Sequence, residues 1–313
     1  MSDRRNQVEE TDVGLAHVSR WVSLSLIILA AAAFVCFGTL KGGIPQRLAH
    51  SVVGSPRKQT LPHWSLTFSD NFDGSAGSLP SSANWITYSG AGYQGELERY
   101  TSSSSNVRLD GRGHLLLIAR RAEDGWTSGE VQTKEDFVAR QGTSLLVQVR
   151  VKLPNGGQGY WPAVWAVAES FRSNPASEPG AGEVDLAEAI DDRPSVSQFF
   201  HCGFKLVPTD CVIGHPYANR HLFVQASGEA GWHVYSWEWV NEGRMPYIEM
   251  SIDGVVQMKI YRSEVTKRNW DAALDHPYYL IMNLAIGGWA GKPNSSSKDV
   301  GIMSIGFVRV FES

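Results

Sequence analysis

The chain has 313 residues, with 28 Lys and Arg against 32 Asp and Glu, and a net charge of −4 excludes the basic surface that nucleic-acid binding needs. A 42% hydrophobic content is ample for a buried core, in one large domain or two small ones. The 11 Trp and 31 Gly suit an all-β protein with many turns and an aromatic-lined groove.

Arg20 and Lys41 bracket an uncharged run at 21–40, WVSLSLIILAAAAFVCFGTL. A helix of about 20 apolar residues just spans a bilayer. Two readings stand: an uncleaved signal anchor, or a signal peptide cut after Ala33. Asp3, Glu9, Glu10 and Asp12 are foreign to a signal n-region and favour the anchor. Lys and Arg flank the run on both sides, so charge leaves its orientation open. The expected layout is a cytoplasmic tail at 1–20, a transmembrane helix at 21–40, a linker at 41–61 and a folded domain at 62–313. That domain then lies in the periplasm or outside the cell, or is secreted if the run is cleaved. Cys36, inside the run, reads as a small hydrophobe.

From residue 62 the chain becomes short β-rich runs separated by Gly, Asn, Asp and Ser. Strands are expected at 64–68, 85–88, 97–101, 107–109, 114–119, 130–133, 145–153, 161–168, 184–189, 197–201, 233–240, 247–252, 255–260, 278–285 and 306–311. Such spacing predicts a two-sheet antiparallel sandwich. The charged stretch at 262–270 reads as a loop with one turn. Trp161 and Trp165, at i and i+4, share one strand face about 13 Å apart, a spacing suited to a ribbon of sugar rings. Filling the sandwich core is the competing account. Cys202 and Cys211 in an exported domain read as a disulfide, worth about 2–3 kcal/mol for so short a loop, or as two buried thiols.

The stretch Glu183-Val184-Asp185-Leu186-Ala187-Glu188 is the chemical centre of the sequence. Propensity favours a helix, whereas the breakers Pro179-Gly180-Ala181-Gly182 before it and Asp191-Asp192-Arg193-Pro194 after it favour a short strand. In a strand Glu183 and Asp185 share a face, but Glu188 falls at an odd offset. One extra residue, a β-bulge near Leu186-Ala187, brings all three carboxyl groups into one cleft.

This stretch resembles the E-x-D-x-x-E signature of the laminarinase-like branch of glycoside hydrolase family 16. The segments Gly159–Trp165 (GYWPAVW), Gly95–Thr101 (GELERYT), His233–Trp239 (HVYSWEW), Ile252-Asp253-Gly254 and Tyr279–Gly288 (YLIMNLAIGG) are similar to further family segments in the same order. The resemblance implies a jelly-roll, concanavalin-like sandwich with the substrate in a cleft on its concave face. It implies Glu183 as nucleophile, Asp185 as its helper and Glu188 as general acid/base. Trp161, Trp165, Trp237, Trp289 and Asn283 are then cleft residues. Glu96 contacts glucan hydroxyls or pairs with Arg99, and His201 contacts Asp185, a sugar or the core. Gly95 replaces a family Asn, and Gly306 stands near a family Asp that helps to hold calcium. Asp70 and Asn71 substitute poorly for the remaining calcium ligands, so no cofactor is expected, and no Cys/His spacing marks a metal site. The implied function is retaining endo-hydrolysis of β-1,3-glucan or mixed β-1,3-1,4-glucan by a monomer. Agarose, carrageenan or galactan as substrate, transglycosylation, and glucan binding without catalysis are the alternatives.

Overall fold

The structure, a computed structural model, describes residues 64–93, 95–178, 180–191, 196–203, 222–224 and 231–313. The apolar run at 21–40, the linker at 41–61 and Cys211 lie outside the described residues. No helix among those described is long and apolar enough to cross a membrane.

The strands in chain order are β1 (Ser65–Asp70), β2 (Trp85–Thr87), β3 (Gly90–Ala91), β4 (Glu98–Tyr100), β5 (Val107–Leu109), β6 (Leu115–Ala122), β7 (Gly125–Ser128), β8 (Glu130–Thr133) and β9 (Ser144–Lys152). They continue as β10 (Tyr160–Ala168), β11 (Glu183–Glu188), β12 (Val196–His201), β13 (Leu222–Val224), β14 (Trp232–Val240), β15 (Tyr247–Ile252), β16 (Val255–Tyr261), β17 (Tyr278–Ile286) and β18 (Val300–Glu312). One sheet runs β16-β15-β14-β9-β18-β6-β7-β4-β3, with β1 on β18 and β5 on β6; the other runs β13-β12-β11-β10-β17-β8-β2. Every pairing is antiparallel except β4 with β7. The chain is thus a two-layer β-sandwich, as its strand spacing predicts.

Alternation along the strands decides what lies between the layers. On β9, Leu145, Val147, Val149 and Val151 are fully buried, while Gln148 and Arg150 turn outward. From the second sheet, Val164, Ala166, Val184, Leu186, Leu280, Met282 and Leu284 join the same core. Its opposite face carries a smaller apolar cluster of Ala163, Trp165, Val167, Tyr279 and Ile281. Ala163 and Trp165 of that second cluster line the cleft.

Three expectations change. Trp237, expected at the cleft, is 1% exposed in the core, where it stacks on Trp239 with centroids 6.0 Å apart and packs against Tyr278. Its strand belongs to the sheet away from the cleft, and Trp237 and Trp239 share that sheet's inward face. The stretch at 262–270 is no loop with one turn. A 3-10 turn at Arg262–Glu264 leads into helix α1 (Lys267–Leu274), capped by the Thr266 hydroxyl, which accepts from the Asn269 amide at 3.1 Å. Trp270, Ala273 and Leu274, at i, i+3 and i+4, give it the buried stripe a helix needs. Strands β3, β7 and β13, two to four residues long, add to the expected set.

Candidate active site

Glu183 to Glu188 is a strand, and it is bulged. Against β12, Glu183, Val184 and Asp185 face His201, Phe200 and Phe199 in step, yet Glu188 faces Ser197. Two residues of β11 thus oppose the single Gln198. Against β10, Val164 pairs with Ala187 and Trp165 with Asp185, so Leu186 is the residue passed over. Leu186 and Ala187 both enter the core, and the Gln198 amide closes the gap by donating to the Leu186 carbonyl at 2.7 Å. Glu183, Asp185 and Glu188 consequently line one cleft of about 580 Å³, with Trp161, Trp165, Trp289, Asn283, His201 and Glu96 around them.

Each acid has its own neighbour. The His201 ring, presented from β12, lies with Nε2 2.9 Å from Oδ2 of Asp185, whose side chain is 5% exposed. The Trp161 indole N–H, presented from β10, donates to Oε1 of Glu188 at 2.9 Å. Trp289 is 44% exposed at the rim, edge-on to both Trp161 and Phe199. Trp165 is turned to the cleft side yet nearly buried, and its indole donates to Asn283 Oδ1 at 2.9 Å. Asn283 Nδ2 donates to the Tyr100 hydroxyl at 2.9 Å, and that hydroxyl donates to Glu96 Oε2 at 3.1 Å. Glu96 also accepts from the Tyr93 amide at 2.8 Å. Its partners are therefore Tyr93, Tyr100 and the Glu98 carboxyl rather than Arg99.

Sequence reading passed over Glu178. It follows the 3-10 turn Pro175–Ser177, and one of its carboxyl oxygens lies within 4.8 Å of both Glu183 and His201. A lone acid in a breaker-rich loop carries no periodic signal, and only the folded loop brings it to the cleft. Tyr93 and Tyr100 were not singled out either, although Tyr100 lies within the family-like segment Gly95–Thr101.

Residues 96–308 match the family described as glycosyl hydrolases family 16. The chain belongs to that family. It is 31% identical over 261 residues to a beta-glucanase of Rhodothermus marinus, covering 77% of this chain and 82% of the relative. It is 28% identical to glucan endo-1,3-beta-glucosidase A1 of Niallia circulans, covering 83% of this chain but only 39% of that longer protein. Among solved structures it is similar to an endo-1,3-beta-glucanase from Streptomyces sioyaensis, with a TM-score of 0.71, 33% identity, and coverage of 80% of this chain and 96% of the other.

For a family 16 glycoside hydrolase, the electrostatics of the cleft decide where protons can reside. Burial, then the Asp185 charge, pushes Glu188 up to about 8, while the Trp161 N–H and His201 pull the other way. Burial, then Asp185, Glu178 and Glu188, also holds Glu183 well above the usual carboxylate range. His201 is drawn down by burial but lifted more by its bond to Asp185 and by the carboxylates, so its pKa is raised overall. Crowded acids of this kind titrate as a set and keep at least one proton near neutral pH. Glu96 is pushed to about 9 by burial and by the neighbouring Glu98 carboxyl, so this pair of carboxyl groups holds a proton at neutral pH. At the position considered for calcium, Asp70 accepts from the Phe72 amide at 2.7 Å and from the Trp85 indole at 2.8 Å, a structural role inside the chain. Glu178, Glu183 and His201 are the one convergence of three such groups among the described residues. Hydrolysis by paired carboxyl groups needs no metal, so none is assigned there.

Proposed function

We propose that this family 16 enzyme is a retaining endo-hydrolase of β-1,3-glucan, with mixed β-1,3-1,4-glucan as a second substrate. The observation that carries the reading is the bulged strand β11, which brings Glu183, Asp185 and Glu188 into one indole-walled cleft. The glucanase names of its relatives support the choice of polymer.

The Glu183 carboxylate attacks the anomeric carbon as the glycosidic C–O bond breaks, and Glu188 gives its proton to the departing oxygen. A glycosyl ester on Glu183 results. The Glu188 carboxylate then takes a proton from water as that water attacks the same carbon and releases Glu183. Asp185, one pleat from Glu183 and bonded to His201, orients the nucleophile. Burial raises both Glu183 and Glu188, so the set holds a proton near neutral pH for donation; that the proton is carried by Glu188 rests on the family resemblance, not on the shifts themselves.

Assay on laminarin, lichenan and agarose tests this. The wild type should cut laminarin, and Glu183→Gln should lower kcat by at least about 10⁴-fold. Laminarin that binds but is never cut would make the protein a glucan-binding module, and agarose cut in its place would move the substrate to another polysaccharide.

We also propose that residues 21–40 anchor the chain in a membrane with 1–20 cytoplasmic, that the domain from 62 acts as an exported monomer, and that Cys202 is bonded to Cys211. Protease shaving of intact cells should release a monomeric domain that gains two hydrogens on reduction. A protected domain, or one whose mass ignores reductant, overturns the placement or the disulfide respectively.

A further inference from the structure

We infer that Trp161 is a positioning residue for the general acid: its indole N–H fixes the Glu188 carboxyl so that the transferable proton sits on Oε2, the oxygen left for the leaving group. The inference rests on the acid/base role proposed for Glu188. It differs from the sugar-platform role that the Trp spacing suggested.

Three observations carry it. The indole N–H donates to Oε1 of Glu188 at 2.9 Å. Indole nitrogen is a donor only, and the carbonyl oxygen of a neutral carboxyl is a better acceptor than its hydroxyl, so the bond to Oε1 favours the hydroxyl at Oε2. The ring is also held on another side, where Trp289 meets it edge to face with centroids 6.1 Å apart and planes at 74°. Finally, the loop after β17 closes on the indole because position 288 is glycine. A Cβ there would stand 2.5 Å from Cζ3 of Trp161 and 2.8 Å from Cε3. Gly288 also has a φ of 52°, and its amide donates to the Gly95 carbonyl at 3.2 Å, which ties the loop to the adjoining segment that carries Glu96.

The groups facing Glu188 give this bond a direction. Asp185 on its own strand disfavours ionisation, and His201 on β12 favours it. Glu183 and Glu178 line the same cleft, while β10 contributes the indole and Ala163 rather than a charge. Once the proton has left, the N–H stabilises the carboxylate that remains, so the same contact serves both halves of the cycle.

The ¹H–¹⁵N signal of the Trp161 indole in the full chain, assigned by its loss in Trp161→Phe, tests the contact without any substrate. It should titrate with Glu188 and become flat in Glu188→Gln. In kinetics on laminarin, Trp161→Phe should lower kcat about 10-fold with KM nearly unchanged, and move the alkaline limb up by about one pH unit. An indole signal indifferent to pH or to Glu188→Gln overturns the inference. So does a raised KM with an unmoved limb, which is the signature of a sugar platform. A wild type that cuts no glucan refutes the substrate reading, while the NMR titration still decides the contact.

Discussion

Tyr100 is fully buried, yet it joins two cleft residues that are distant in sequence. Its hydroxyl accepts from Asn283 and donates to Glu96, so it sets the Trp165–Asn283 pair on one side and the Glu96 wall on the other. Replacing it by Phe leaves the Asn283 amide without that acceptor and Glu96 without that donor. Tyr100→Phe should destabilise the fold by about 1–3 kcal/mol, the usual penalty for stranded buried polar groups, and raise KM several-fold; thermal melts and laminarin kinetics measure both. An unchanged KM would separate the network from substrate binding. The sequence marked Trp165, Asn283 and Glu96 through family likeness, but not the tyrosine that links them. Hydrogen bonds spanning 183 residues of chain leave no local pattern.

Strand β11 depends on the element beside it. Gly182, which precedes the nucleophile, has a φ of 88°, and a Cβ there would stand 2.6 Å from the Ala273 carbonyl in the last turn of α1 and close on the Tyr278 hydroxyl. Backbone cannot yield as a side-chain tip can. Gly182→Ala should therefore cost about 2–4 kcal/mol and lower kcat by shifting Glu183, read from denaturant midpoints and laminarin turnover. The bulge itself was legible, because an odd offset between acids admits one extra residue and little else. Helix α1 was not. Two turns with four buried residues, three of them apolar, are marginal on propensity alone, and tertiary packing decides them.

Carboxyl groups are buried beside the cleft, on the face of the second sheet turned away from the main core. Glu130 on β8 is fully buried, accepts from Gln132 Nε2 at 2.8 Å, and is pushed by burial up to about 8. The native state thus holds a proton that the unfolded chain releases at ordinary carboxylate pH, so this group's stabilisation is complete in acid and is lost as pH rises toward 8. Glu130→Gln should leave Tm nearly unchanged near pH 4 and raise it near pH 9, by about 2–4 °C for each kcal/mol recovered. Equal shifts at both values would refute the buried proton. Strand spacing and turn residues determined the sandwich and most strand positions, and the odd offset of the acids determined the bulge, because those signals are local. The tertiary structure decided which sheet each tryptophan serves, burying Trp237 while placing Trp161 against Glu188, and it brought Glu178, Tyr93 and Tyr100 to the cleft. Period along a strand says which face a side chain takes, but only the stacking of one layer on another says what that face meets.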